Sequence, residues 1–247
     1  MYAEHTRGQS PTVFIIDKDR SARESLDVLI RTSGWQTECF ASAEEFLARP
    51  RAMRPGCLLL DVSLPQLDGL ALQEIIADRR EMPVVFVTSR RDVGMTVRAM
   101  KAGAVDFLSK PASHPAIVGA VRCALDRSQR ALTEEASMRA LRNRYVSLTR
   151  REREVLELVV SGRLNKQIAA ELGTSEITVK VHRMNMKRKM EADSLATLVR
   201  MAAQLGLRCG REAGVRFSAD AGNAGFTTRQ RPAWSYEMTG VAVGISL

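Results

Sequence analysis

In the first half of the chain, four residues of the types needed to hold or move a phosphoryl group follow short apolar runs. Asp17 follows Val13 to Ile16, Asp61 follows Cys57 to Leu60, Thr88 follows Val84 to Val87, and Lys110, with Pro111, comes just after Ala104 to Phe107. Together these residues suit phosphoryl transfer to a carboxylate. Asp61 can act as the nucleophile, Lys110 can counter the phosphoryl charge, and Thr88 can donate a hydrogen bond. Asp17 can hold a hard divalent cation such as Mg2+, which favours carboxylate, carbonyl and phosphate oxygens. Singly, each has an ordinary structural explanation, since an Asp after a strand often caps a helix and a lone Lys is usually solvated. Their order along the chain carries the argument.

The elements that must position them follow from the apolar pattern. Runs at 13–16, 37–40, 57–60, 84–87 and 104–107 read as strands covered on both faces. Helix-period stretches lie between them, over 21–33, 43–49, 70–79, 93–102 and about 115–126. That alternation predicts a doubly wound, five-stranded parallel sheet. In such sheets ligand-binding groups gather at the carboxyl ends of the strands. Two carboxylates, a hydroxyl and an ammonium are therefore expected in one crevice.

A second constellation lies in the second half. Thr149 and Glu152 stand three apart in the pattern of a capping box opening a helix over 150–160, which Gly162 ends. A short helix is expected from near Asn165, with Asn165 as its cap, and Gly173 supplies the turn after it. Ser175 can cap a longer basic helix to about Met190. A fourth, capped by Asp193 or Ser194, has Leu195, Leu198, Val199, Ala202 and Leu205 as its expected buried stripe. A short helix, a glycine turn and a basic helix make a helix-turn-helix, which seats the basic helix in the DNA major groove. On that helix Val179, His182, Met186 and Met190 form the inward stripe, with His182 structural. Lys180, Val181 and Met184 are candidates for base contacts. Arg183, Lys187 and Thr178 are candidates for phosphate contacts. A solvated helix face is the ordinary explanation of such charges; the turn and its position favour DNA.

The residues IIDKDRSARESL, LLLDVSLPQLDG, FVTS and AMKAGAVDFLSKP, within 12 to about 127, resemble the receiver domain of FixJ/NarL-type two-component response regulators. The resemblance implies a flavodoxin-like strand order of 2-1-3-4-5. It also implies phosphorylation of Asp61 by a sensor histidine kinase, a main-chain oxygen of Ser63 in the metal shell, and Thr88 and Phe107 coupling the site to the opposite surface. Read by itself, Phe107 is an ordinary core aromatic. The stretch LTRREREVLELVVSGRLNKQIAAELGTSEITVKVHRMNMKRKM, within about 145–207, resembles the LuxR-type helix-turn-helix. This implies an active homodimer on paired half-sites of double-stranded DNA, and recruitment or exclusion of RNA polymerase. Met184 and Asn185 stand at variable positions of such helices and are expected to help set the target sequence.

One departure from the receiver pattern bears on the chemistry. Receivers resemble one another in having two adjacent acids after the first strand, whereas here Asp17 is followed by Lys18. A lysine in place of the second acid opposes a cation by Coulomb repulsion unless its long side chain turns out to solvent. Asp19, displaced by one residue, could compensate, and Lys18 could itself stand in for part of the cation. The leading expectation is a phosphorylation-switched, DNA-binding transcription regulator. The alternative is a phosphorylation-independent regulator with a degenerate receiver. Ser89, Arg90 and Arg91 also stand where FixJ-like receivers often carry smaller residues. An enzyme on the same sheet is disfavoured, since no Gly-rich phosphate loop and no Ser or Cys nucleophile elbow is present.

The charge distribution agrees with this division. Of a net +9, residues 1–125 carry 16 Lys/Arg against 15 Asp/Glu, whereas residues 126–206 carry 16 against 10, the segment suited to a polyanion. The expected organisation is an N-terminal segment 1–11, a receiver 12–127, a linker helix 128–147, an all-α four-helix domain 148–207 and a flexible tail 208–247. In the linker, Met138, Leu141, Tyr145 and Leu148 form a narrow seam that suits either packing on the neighbouring domain or a short coiled coil. The four cysteines (39, 57, 123 and 209) have no paired spacing and read as small buried residues. No apolar run approaches the roughly 18 residues of a membrane span, and Glu4, His5 and Arg7 interrupt any leader-like stretch, so a cytoplasmic protein without membrane contact is expected.

Overall fold

A computed structural model describes residues 10–207 apart from positions 52 and 91. The expected tail 208–247, Cys209 and most of the N-terminal segment lie outside the described residues, as does Arg91. The first half alternates β1 (Thr12–Ile16), α1 (Arg20–Thr32), β2 (Gln36–Phe40), α2 (Ala43–Leu47), β3 (Gly56–Leu60), α3 (Gly69–Ile75), β4 (Val84–Thr88), α4 (Val93–Lys101), β5 (Asp106–Ser109) and α5 (His114–Val146). All strand pairs are parallel, in the order β2-β1-β3-β4-β5.

Because successive strand residues point to opposite faces, the three central strands feed two cores. Phe14, Ile16, Leu58, Leu60 and Phe86 pack with residues of α2, α3 and α4, including Phe46, Leu72 and Ala99. Val13, Ile15, Leu59, Val85 and Val87 pack with Leu26 and Ile30 of α1 and Val121 and Ala124 of α5. Both faces are covered, which is why β1, β3 and β4 read as unbroken apolar runs. β5 begins two residues later than its apolar pattern suggested. The amide of Ala104 instead closes the end of α4 by donating to the Ala99 carbonyl at 3.1 Å, around Gly103 at φ 92°. Lys110 therefore follows β5 directly.

The fifth helix, expected to end near Asp126, runs on through the linker to Val146 as one helix of 33 residues, about 50 Å long. Its first half is pinned to the sheet by Ser128. That buried hydroxyl accepts the Gly56 amide at 3.0 Å and donates to the Glu81 carbonyl. Its last turns belong to the second core, where Met138, Leu141 and Tyr145 pack with Leu148, Val155 and Leu156. The seam in the linker is thus satisfied within the chain.

The remaining helices are α6 (Arg150–Val160), α7 (Asn165–Leu172), α8 (Glu176–Met190) and α9 (Leu195–Gln204). The Thr149/Glu152 capping box is present, with amide bonds of 3.3 and 2.8 Å. Three expectations are corrected. Asn165 is the first residue of α7 and not its cap; the Leu164 amide donates to Gln167 Oε1 at 2.9 Å instead. On α9 only Leu198 and Ala202 of the expected stripe are buried, while Leu195 and Val199 are 49% and 36% exposed because α9 meets the domain along a narrower line. Cys57 is buried but Cys39 and Cys123 are exposed, since β2 is an edge strand and α5 turns one side to solvent.

Candidate phosphoryl site and nucleic-acid interface

The crevice at the carboxyl ends of the strands contains the four residues predicted for it. Asp17 and Asp61 are buried immediately after β1 and β3, and the Asp61 amide donates to the Ile16 carbonyl at 2.9 Å, which aligns the two strand ends. Gly69, opening α3, lets that helix approach: a Cβ there would lie 2.6 Å from the Asp61 carbonyl oxygen and 3.2 Å from the Phe86 ring. The Lys110 amide donates to the Thr88 carbonyl at 2.8 Å, which holds β5's end beside β4. The Lys110 ammonium then reaches back across the sheet, hydrogen-bonded to Asp17 and 3.6 Å from Asp61 Oδ2. It bridges the two carboxylates. Thr88 is fully buried, and its hydroxyl accepts the Arg90 amide at 3.3 Å. Phe107 is half-buried with its ring 5.7 Å from that of Phe86, a core contact on the α4 side of the sheet.

Lys18 is exposed and makes no ion pair among the described residues, so the ammonium that stands between the acids is that of Lys110. Asp19 does not compensate for it. Its carboxylate caps α1, accepting the Ser21 and Ala22 amides at 2.8 and 3.4 Å, while its own amide donates to Asp17 Oδ1 at 2.9 Å. Oxygens of Asp17 and Asp61, with the Ser63 main-chain oxygen that the receiver resemblance implies, are what the protein could offer Mg2+, which ordinarily keeps several waters. Ser63 lies close, its amide donating to Asp61 Oδ1 at 3.3 Å and its buried hydroxyl having no partner among the described residues. The donor set fits Mg2+ in type but is one acid short.

In the helical domain, Gly173 at φ 61° ends α7, and the Ser175 hydroxyl caps α8 by accepting the Thr178 amide at 3.1 Å. Val179, Met186 and Met190 are buried, and His182 is half-buried beside them. On the opposite side Lys180, Val181, Met184 and Arg188 are exposed together. The three predicted phosphate contacts differ from these. Arg183 is half-buried and donates to Asn165 Oδ1 at 2.6 Å, tying α8 to α7. Lys187 donates to the Asp193 carbonyl at 3.1 Å, and the Thr178 hydroxyl lies 2.9 Å from that of Ser175. Ile177, 74% exposed, was missed; its spacing of four from Val181 and seven from Met184 is the signal that could have found it. Lys189 was missed too. Its ammonium pairs with buried Glu152 at 2.6 Å. Burial pushes the Glu152 carboxyl upward, but Lys189 and the capping bonds outweigh it and hold the group below the usual range.

Comparison with known proteins gives the arrangement its family. Residues 13–122 match the response regulator receiver domain and residues 146–202 match the bacterial regulatory proteins of the luxR family. Response regulator protein TodT of Pseudomonas putida is 40% identical over 202 residues, 81% of this chain and 89% of TodT. The chain is a response regulator. Nodulation protein W of Bradyrhizobium diazoefficiens is 42% identical to this regulator over 205 residues, 82% of the chain and 90% of that protein. The solved structure of response regulator StyR superposes with a TM-score of 0.72 at 43% identity, covering 79% of this regulator and all of StyR. The regulator is thus a two-component response regulator with a LuxR-type DNA-binding domain, a family of transcription regulators and not of enzymes. Among its described residues no helix is long and apolar enough to cross a membrane.

Proposed function

We propose that a sensor histidine kinase phosphorylates Asp61, and that the phosphorylated regulator acts in the cytoplasm as a homodimer that binds promoter DNA through α8 and acts on RNA polymerase. The observation that carries this reading is the Lys110 ammonium bridging Asp17 and Asp61. One carboxylate oxygen of Asp61 attacks phosphorus, and the bond from phosphorus to the donor nitrogen breaks. The new group brings negative charge next to Asp17, and Lys110 is already placed to accept it by shifting its hydrogen bonds. Thr88, whose hydroxyl oxygen accepts the Arg90 amide, can still donate its proton to a phosphoryl oxygen. Asp17, Asp61 and the Ser63 main-chain oxygen would hold Mg2+, which when bound neutralises charge on the transferring group.

Lys18 favours a second reading, in which phosphorylation is slow or absent and the receiver works as an interaction module. Selection of DNA sites by the full chain, with and without a small phosphodonor and Mg2+, separates the two. The first reading expects a salt-sensitive, sequence-specific complex that tightens with the donor. A specific complex indifferent to the donor selects the second reading, and no specific complex in either condition sinks both.

A further inference from the structure

We infer that Ile177, Val181 and Met184 form a methyl-reading stripe on α8, so that the half-site of this regulator is specified in large part by the 5-methyl groups of thymines. The inference rests on the reading that α8 enters the DNA major groove, and adds which bases it reads there. The three side chains are 74%, 46% and 63% exposed, on a helix whose other exposed residues include Lys180 and Arg188. Their spacing of four and three places them in one line along the helix. That line lies opposite Val179, Met186 and Met190, which are wholly buried. An exposed Ile, Val or Met alone needs no explanation, but a continuous apolar line does.

The charges around the stripe decide what covers it. Lys180 stands beside it and Arg188 continues its line toward the end of the helix, in a segment with 16 Lys/Arg against 10 Asp/Glu. A purely apolar protein partner would leave those cations facing it, whereas a DNA groove offers phosphates at its walls and apolar groups on its floor. In the major groove the apolar feature is the thymine methyl; the other base edges present hydrogen-bond donors and acceptors. Ile, Val and Met have no donor or acceptor with which to satisfy a guanine or cytosine edge, so pressing them on G·C pairs would desolvate polar atoms without replacement. The stripe therefore both favours thymine and disfavours its alternatives, and leaves hydrogen-bonded readout to Lys180.

The test uses the full-length regulator and the best duplex from site selection in the presence of a phosphodonor. Each thymine of one half-site is replaced in turn by uracil, which removes the methyl and keeps every hydrogen-bonding group. The expected result is about fourfold weaker binding at two or three thymines, the equilibrium equivalent of exposing a methyl-sized apolar group. That loss is expected to disappear in the Ile177→Ala/Val181→Ala/Met184→Ala variant. Because all three side chains are exposed, the variant should keep the circular dichroism of the parent; should it not, Ile177→Gln and Met184→Gln provide the same comparison singly. Uracil substitution that leaves a specific complex within about twofold everywhere overturns the inference, as does a uracil penalty that persists in the variants. So does a variant whose oligomeric state changes by light scattering while its DNA affinity does not, since the stripe would then be a protein-docking face. Failure of the parent to select any sequence overturns the DNA-binding reading itself, and the inference with it.

Discussion

Lys110 and Lys18 both follow strands at the carboxyl end of the sheet, and their ammonium groups have different fates. Lys110 is held between Asp17 and Asp61, whereas Lys18 faces solvent. With its side chain turned to solvent, Lys18 opposes a cation little, and what the site lacks is the oxygen of a second acid. Lys18→Asp is expected to tighten Mg2+ binding and to speed Mg2+-dependent phosphorylation of Asp61 by about tenfold, measured with a small phosphodonor; equal rates would remove Lys18 from the argument. Gln66, in the loop that carries Ser63, has φ 62°, a region that costs a side chain of this kind about 1 kcal/mol. Gln66→Gly should raise the urea midpoint by a corresponding amount. Glu152 is held below its ordinary value of 4.5 by Lys189 and the capping bonds, against its burial. A depressed acid stabilises the fold at pH values above its unfolded pKa. Its contribution is thus complete near neutrality and lost as the pH falls below about 4.5, and Glu152→Gln should flatten that part of the curve of unfolding free energy against pH.

Among the elements, α5 has the largest structural role, because it is part of two cores. Ser128 secures its first half by satisfying the Gly56 amide and the Glu81 carbonyl inside the protein. Ser128→Ala leaves two buried backbone groups without partners and is expected to cost about 1–3 kcal/mol by chemical denaturation; Ser128→Cys should recover little, its thiol being a weak donor. The hydrogen bond from Arg183 to Asn165 likewise fixes the angle between α7 and α8. Arg183 was legible in the sequence only as a positive charge near the recognition face. Its actual partner lies 18 residues away, and neither periodicity nor propensity reports a contact at that distance. The continuity of α5 was equally hidden. The apolar pattern changes near Asp126 from a sheet-covering stripe to a narrow seam, which reads as a break, but the backbone needs no interruption when the face being buried changes.

At the scale of the whole molecule, charge is divided as function requires, with a nearly neutral receiver and a basic helical domain. The Lys180 side chain is exposed and makes no hydrogen bond or ion pair among the described residues. Lys180→Ala is therefore expected to weaken DNA binding by about 1–3 kcal/mol and to relax the sequence preference at one position, as for a base-edge contact. A slope of log affinity against log salt lowered by about one, with the sequence preference unchanged, would assign Lys180 to a phosphate instead. Lys187, engaged with the Asp193 carbonyl, should change the slope less.

The sequence alone was enough for the order of strands and helices, the convergence of Asp17, Asp61, Thr88 and Lys110, and the caps at Thr149, Ser175 and Gly173. These are local or periodic properties: a run of apolar residues, a turn residue at the right offset, a polar residue at a strand end. Only the tertiary structure decided that Lys110, and not Lys18, stands between the acids, that Asp19 is spent on capping α1, and that Arg183 and Lys187 are engaged within the domain. Each of those outcomes is a competition among side chains for the same partner. Such competition is settled by distances across the fold, and a linear pattern does not contain them.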